Sequence, residues 1–72
     1  MWIMTQGKKG LVNLDECGSV CVTANIGKKK SCIIVYPTNT ILGYYDNEKN
    51  AIDELENIAQ EMQKGNNFYY MP

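Results

Sequence analysis

Histidine and arginine are both absent from the 72 residues, and each absence removes a class of function. Without an imidazole there is no ordinary general base to activate a serine or cysteine nucleophile. Without arginine, the planar forks that carry most base and phosphate recognition on nucleic acids are missing, and no basic stripe replaces them. DNA and RNA are therefore not expected partners. The cysteines, Cys17, Cys21 and Cys32, are odd in number, follow no zinc spacing and have no histidine to complete a site. Neither a disulfide framework nor a metal is expected, and nothing calls for a cofactor. No apolar run approaches the roughly 18 residues needed to cross a bilayer. The N-terminal residues lack the charged and apolar regions of a signal peptide. The expectation is a cytoplasmic protein with reduced thiols and no membrane association.

What is present fits one domain covering residues 1–72. Ordering such a chain costs on the order of 100 kcal/mol of conformational entropy, which one small core only just offsets. Short chains commonly add disulfides, a metal or a partner chain. With the first two set aside, association is the favoured remedy. Net charge is −1 but unevenly spread. Residues up to Tyr36 hold five lysines against Asp15 and Glu16, whereas the remainder holds six acids against Lys49 and Lys64.

The C-terminal half predicts an amphipathic helix. Asp46 or Asn47 can cap it, Glu48 suits its first turn, and Gly65 after Lys64 supplies a left-handed stop. Ala51, Ile52, Leu55, Ile58, Ala59 and Met62 recur at helical spacing, with Asp53, Glu54, Glu56, Asn57, Gln60 and Glu61 on the opposite, solvated face. Before the helix, short β-type runs alternate with turn residues: Trp2 to Gln6, Leu11 to Leu14, Gly18 to Ala24, Ser31 to Tyr36 and Ile41 to Tyr45. Phe68 to Met71 forms a last short strand. The fold class is α+β: an antiparallel meander of four to five short strands packed on one helix, with a final strand after it.

Cys32, Ile33, Ile34, Val35 and Tyr36 are consecutive and largely apolar, so both faces of that strand call for burial. One helix covers one face of so small a sheet. Met4, Cys21, Ile34 and Tyr36 are the candidates for an uncovered face that forms a homodimer; a shifted register, with the run simply central in the sheet, is the alternative.

The catalytic inventory is thin. The carboxylates gather on an exposed helix face without the sheltered pair that acid–base chemistry needs. Gly27-Lys28-Lys29-Lys30-Ser31 invites comparison with a phosphate-binding P-loop, but the upstream glycine and the following helix are missing. A binding protein rather than an enzyme is expected. Five of the seven lysines lie in two glycine-flanked turns, Gly7-Lys8-Lys9-Gly10 and Gly27-Lys28-Lys29-Lys30. Lysine and free amides at a turn can hold phosphate, and aromatics such as Trp2, Tyr36, Tyr44, Tyr45, Tyr69 and Tyr70 can stack on a base. The competing reading is that turn lysines are merely solvated and guard edge strands against aggregation. The ligand-binding candidates are Trp2, Lys8, Lys9, Lys28, Lys29, Lys30 and Tyr36.

The frame Met1-Trp2-Ile3-Met4-Thr5-Gln6, Leu11-Val12-Asn13-Leu14, Leu42-Gly43-Tyr44-Tyr45 and Lys64-Gly65-Asn66-Asn67-Phe68-Tyr69-Tyr70-Met71-Pro72 resembles short proteins carried by phages and prophages of Gram-positive bacteria. Within that group the chain is similar to anti-defence proteins that inhibit Thoeris immunity by sequestering its signal, a cyclic ADP-ribose isomer. The resemblance implies a small homodimer that binds a nucleotide without cleaving it. It transfers no ligand-contacting motif position by position. Two other classes stay open: an inhibitor whose acidic helix mimics nucleic acid and blocks a host defence enzyme, and a structural prophage interaction protein.

Overall fold

A computed structural model describes all 72 residues. The chain forms β1 (Trp2–Met4), β2 (Leu11–Asn13), a 3₁₀ turn (Leu14–Glu16), β3 (Ser19–Ala24), β4 (Ser31–Tyr36), β5 (Thr40–Tyr45), α1 (Glu48–Gln63) and β6 (Phe68–Tyr70). The strands divide between two sheets of three, ordered β2-β1-β6 and β3-β4-β5. The expected α+β architecture holds, with the strands shared between two small sheets. The terminal strand is the exception to the antiparallel pattern, because β6 runs parallel to β1. No helix is long and apolar enough to cross a membrane.

The helix follows its sequence signals closely. The Asn47 side chain accepts from Asn50 N–H at 2.8 Å, satisfying one of the free amides of the first turn. At the other end Gly65 takes φ +79°. Its N–H bonds Met62 C=O at 3.0 Å while Asn66 N–H reaches Glu61 C=O at 3.2 Å. This double closure satisfies orphan carbonyls and needs a residue free to adopt left-handed backbone.

The helix packs on β3-β4-β5. Ala51 and Ile58 reach a core made with Ile3, Leu14, Ile33, Val35, Leu42 and Met71. Fully burying a side chain the size of Ile33 stabilises by about 1.5–3 kcal/mol, and Ile33→Ala would cost about 2–5 kcal/mol once the cavity is counted. Leu42 owes its place to a bulge. Ile33 pairs with Gly43 but Ile34 pairs with Ile41, so Leu42 is the extra residue on β5. Leu42 and Gly43 are both buried, as a bulge that puts two successive residues on one side requires.

Two expectations about the helix faces need correction. Met62 and Ile52, expected inside the apolar stripe, are exposed, because a three-stranded sheet is too narrow to cover the whole stripe. Glu54, expected on the solvated face, is only 6 % exposed. The return of β6 alongside β1 explains it: the strand carries Tyr69 against the helix, and the Tyr69 hydroxyl donates to Glu54 Oε2.

Gln6 joins the two sheets. Its N–H donates to Leu42 C=O at 2.8 Å. Its side-chain amide then substitutes for a strand, with Tyr44 N–H donating to Oε1 at 2.8 Å and Nε2 donating to Tyr44 C=O at 3.2 Å. The edge of β5 is thereby paired without a full neighbouring strand.

Candidate ligand site

Both lysine turns are tethered near the C-terminal end of β5. Gln6, which precedes the Gly7–Gly10 turn, is bonded to Tyr44. In the other turn Lys29 Nζ lies 2.7 Å from Asp46 Oδ1, two residues further along. Between these attachments stands Tyr44, 42 % exposed, beside a cleft of about 390 Å³ lined by Thr5, Gln6, Gly7, Ile41 and Tyr44. Lys8, Lys9, Lys28 and Lys30 make no ion pair, and Lys29 is the one of the five engaged by a carboxylate. The backbone N–H groups of Gly7, Lys9, Lys28 and Lys29 have no partner in the fold. Lys8 at φ +61° and Gly27 at φ +125° bend the turns. Unpaired amides within turns that carry free ammonium groups attract anions.

The other expected ligand residues lie elsewhere. Tyr36 sits at the far end of β4 from the Lys28–Lys30 turn, about 17 Å away at roughly 3.4 Å per residue. Trp2 belongs to the outer face of the smaller sheet. There the registers Trp2 with Asn13 and Phe68, and Met4 with Leu11 and Tyr70, align one face. Trp2, Leu11, Phe68 and Tyr70 are all exposed, and the Phe68 and Tyr70 ring centroids are 4.8 Å apart. Tyr44, not Trp2 or Tyr36, is the aromatic residue that accompanies the lysines.

The expected dimer residues are likewise divided. Cys21 faces Ile34 across β3 and β4, with Tyr36 on the same outer side, whereas Met4 lies in the other sheet. Cys32 on that outer side is 3 % exposed, flanked by Thr23 and Tyr44. The run that asked for burial on both faces is therefore satisfied over much of its length within the chain.

The titratable group that sequence reading missed is a buried cluster around Glu54. Tyr69 donates to one carboxylate oxygen, and Asn57 Nδ2 donates to the other at 3.2 Å. The Tyr45 hydroxyl is buried without a hydrogen-bond partner. Burial, and secondarily the Glu54 charge, pushes the Tyr45 phenol up to about 12. Burial together with the bond to Glu54 raises the Tyr69 phenol further still. Burial also raises the Cys32 thiol, making it a poorer thiolate source. Cys17 and Cys21 are half-buried and free, and Cys17 Sγ donates to Asn13 C=O at 3.2 Å. No three histidine, cysteine or acidic side chains gather in a way that could hold a metal ion.

No protein-family model, no curated protein and no solved structure matches this chain.

Proposed function

We propose that the protein binds a phosphate-bearing nucleotide without turning it over, at the lysine-flanked end of β5. The observation that carries this reading is the tethering of two lysine turns on either side of exposed Tyr44. Phosphates would rest on the ammonium groups and free amides of the turns, and a base would stack on the Tyr44 ring. The resemblance supplies the identity of the ligand: a cyclic ADP-ribose isomer used as an immune signal, sequestered in the host cytoplasm during phage infection. Capture of that kind lowers free signal stoichiometrically and needs tight binding, not catalysis.

The test is calorimetry and thermal shift with ADP-ribose and its cyclic isomers. A ligand present at a hundredfold over Kd adds about 2.7 kcal/mol to stability, and heating the protein should release the nucleotide intact. Removing one turn's lysines (K8A/K9A or K28A/K30A) should weaken binding by roughly tenfold or more, and Tyr44→Ala by a similar factor. Absence of binding to every nucleotide tried would end this reading, and recovery of degraded nucleotide would replace it with an enzymatic one.

A further inference from the structure

β3 ends its sheet. The bond from Asn25 N–H to Lys30 C=O sets the alternation along the β3–β4 ladder. By that alternation Cys21 and Thr23 turn their peptide groups toward β4, while Val20, Val22 and Ala24 turn theirs outward. Those outward groups have no partner in the fold. Exposed edges in monomeric proteins are usually guarded by lysine, proline, a bulge or short length. β3 has six residues, Ser19-Val20-Cys21-Val22-Thr23-Ala24, with no charge and no proline, and the register irregularity of this sheet lies on the β4–β5 ladder instead.

We infer that two copies pair antiparallel through β3 about a two-fold axis at Val22, joining their sheets into one of six strands. This register uses every outward group: Val22 meets the partner's Val22, and Val20 meets the partner's Ala24, giving about six interchain hydrogen bonds. Two further features choose a second copy over a foreign strand. Ile26, in the turn that extends β3, is 100 % exposed. In this register it arrives opposite the partner's Gly18, at the mouth of an apolar groove between β3 and the helix that Leu14, Cys17, Val20, Leu55 and Met62 line. The lysine turn beyond it extends toward the partner's Glu16, an acid with no ion pair within its own chain, so opposite charges meet at both ends of the paired strands. A fully exposed isoleucine, an apolar groove and an unpaired acid facing an unpaired lysine are all accounted for by one symmetric contact.

The experiment is sedimentation of the full chain over roughly 10 µM to 1 mM, with circular dichroism to confirm folding of each variant. The wild type should dimerise. Ala24→Pro removes an outward N–H that no intrachain bond uses, a change edge strands tolerate, and should raise the dimer Kd by roughly tenfold or more. Tyr36→Lys, on the outer sheet face, should leave the dimer intact. Glu16→Lys and Lys28→Glu should each weaken association, and the double exchange should recover it, which keeps the test decisive if the proline variant folds poorly. A chain that stays monomeric over this range, or a dimer broken by Tyr36→Lys and indifferent to Ala24→Pro and the charge exchanges, overturns the inference.

Discussion

Tyr69→Phe removes one oxygen and should destabilise the protein far more than its size suggests. Glu54 is 6 % exposed, and two side-chain donors, Tyr69 Oη and Asn57 Nδ2, meet its carboxylate. Losing the tyrosine leaves a buried carboxylate oxygen short of a donor, and a hydrogen bond to a charged group is worth about 1.5–3 kcal/mol. A domain of this length has roughly 4–11 kcal/mol in total, so the loss is a large share. At about 4–8 °C per kcal/mol for a chain of this size, Tm should fall by about 6–24 °C. Glu54→Gln keeps an acceptor for Tyr69 and removes the buried charge, so it should cost less. A double-mutant cycle between Tyr69→Phe and Glu54→Gln should show a coupling of about 1 kcal/mol or more. The contrasting control is Tyr45→Phe. Its hydroxyl is buried without a partner, so removing it should be neutral or stabilising. Thermal melts and urea titrations of the four variants decide the matter. Tyr69→Phe within about 0.5 kcal/mol of wild type, or Tyr45→Phe as damaging as Tyr69→Phe, would refute the reasoning.

The same tyrosines give the protein an alkaline limit. Their folded pKa values lie above the ordinary value of 10.0, so the folded state holds protons that the unfolded chain releases. Their contribution is complete below pH 10 and is lost as pH rises toward 12 for Tyr45 and beyond for Tyr69. Urea midpoints measured from pH 9 to 12 should fall, and should fall less steeply in Tyr69→Phe. Gly43→Ala should cost about 1–3 kcal/mol by overpacking, because a Cβ there would sit 3.0 Å from Tyr45 Oη and 3.2 Å from Gln6 Cβ; a melt indistinguishable from wild type would contradict that. Gln6→Ala should lower stability by about 1 kcal/mol and also weaken nucleotide binding, since it unties the first lysine turn from Tyr44; calorimetry beside a melt separates the two effects. Asn47→Ala should cost about 1 kcal/mol through loss of the helix cap, with binding unchanged.

Local signals were legible and long-range pairings were not. Asn47, Glu48, Lys64 and Gly65 bracket the helix because capping acts within one turn, and the structure places α1 between those residues. Turn residues likewise marked each strand to within a residue or two. What could not be read was the parallel pairing of β6 with β1, which depends on contacts between the two ends of the chain. That pairing decides two matters at once. It carries Tyr69 to Glu54, turning an apparently solvated acid into a buried one, and it aligns Trp2 and Met4 with Phe68 and Tyr70 on one exposed face. The bulge at Leu42 was hidden for a similar reason: Ile41-Leu42-Gly43 has no period that distinguishes an extra residue from a regular strand. Within the candidate site the lysine turns were found from composition, but their tethering depends on Gln6 and Asp46, and neither carries a signal beyond being polar.

Gln6 and Glu54 have related roles in the architecture. Neither sheet has more than three strands, and each leaves edges that small domains must pair, cover or expose. Gln6 closes one edge with a side chain, near the end of β5 to which both lysine turns are tethered, so the element that completes the fold also holds one wall of the proposed ligand site. Glu54 and Tyr69 fasten the terminal strand, and through it β1, to the helix. The other sheet ends in strands of three residues, β2 and β6, so the one long unguarded edge is β3, which lies across β4 from β5. A chain that used a glutamine to finish one edge had the same option at the other, yet β3 carries only small and β-branched residues suited to a sheet interior. That asymmetry is the reason to look for the second copy at β3, where its added strand would leave Tyr44 and the Gly7–Gly10 turn open to a ligand.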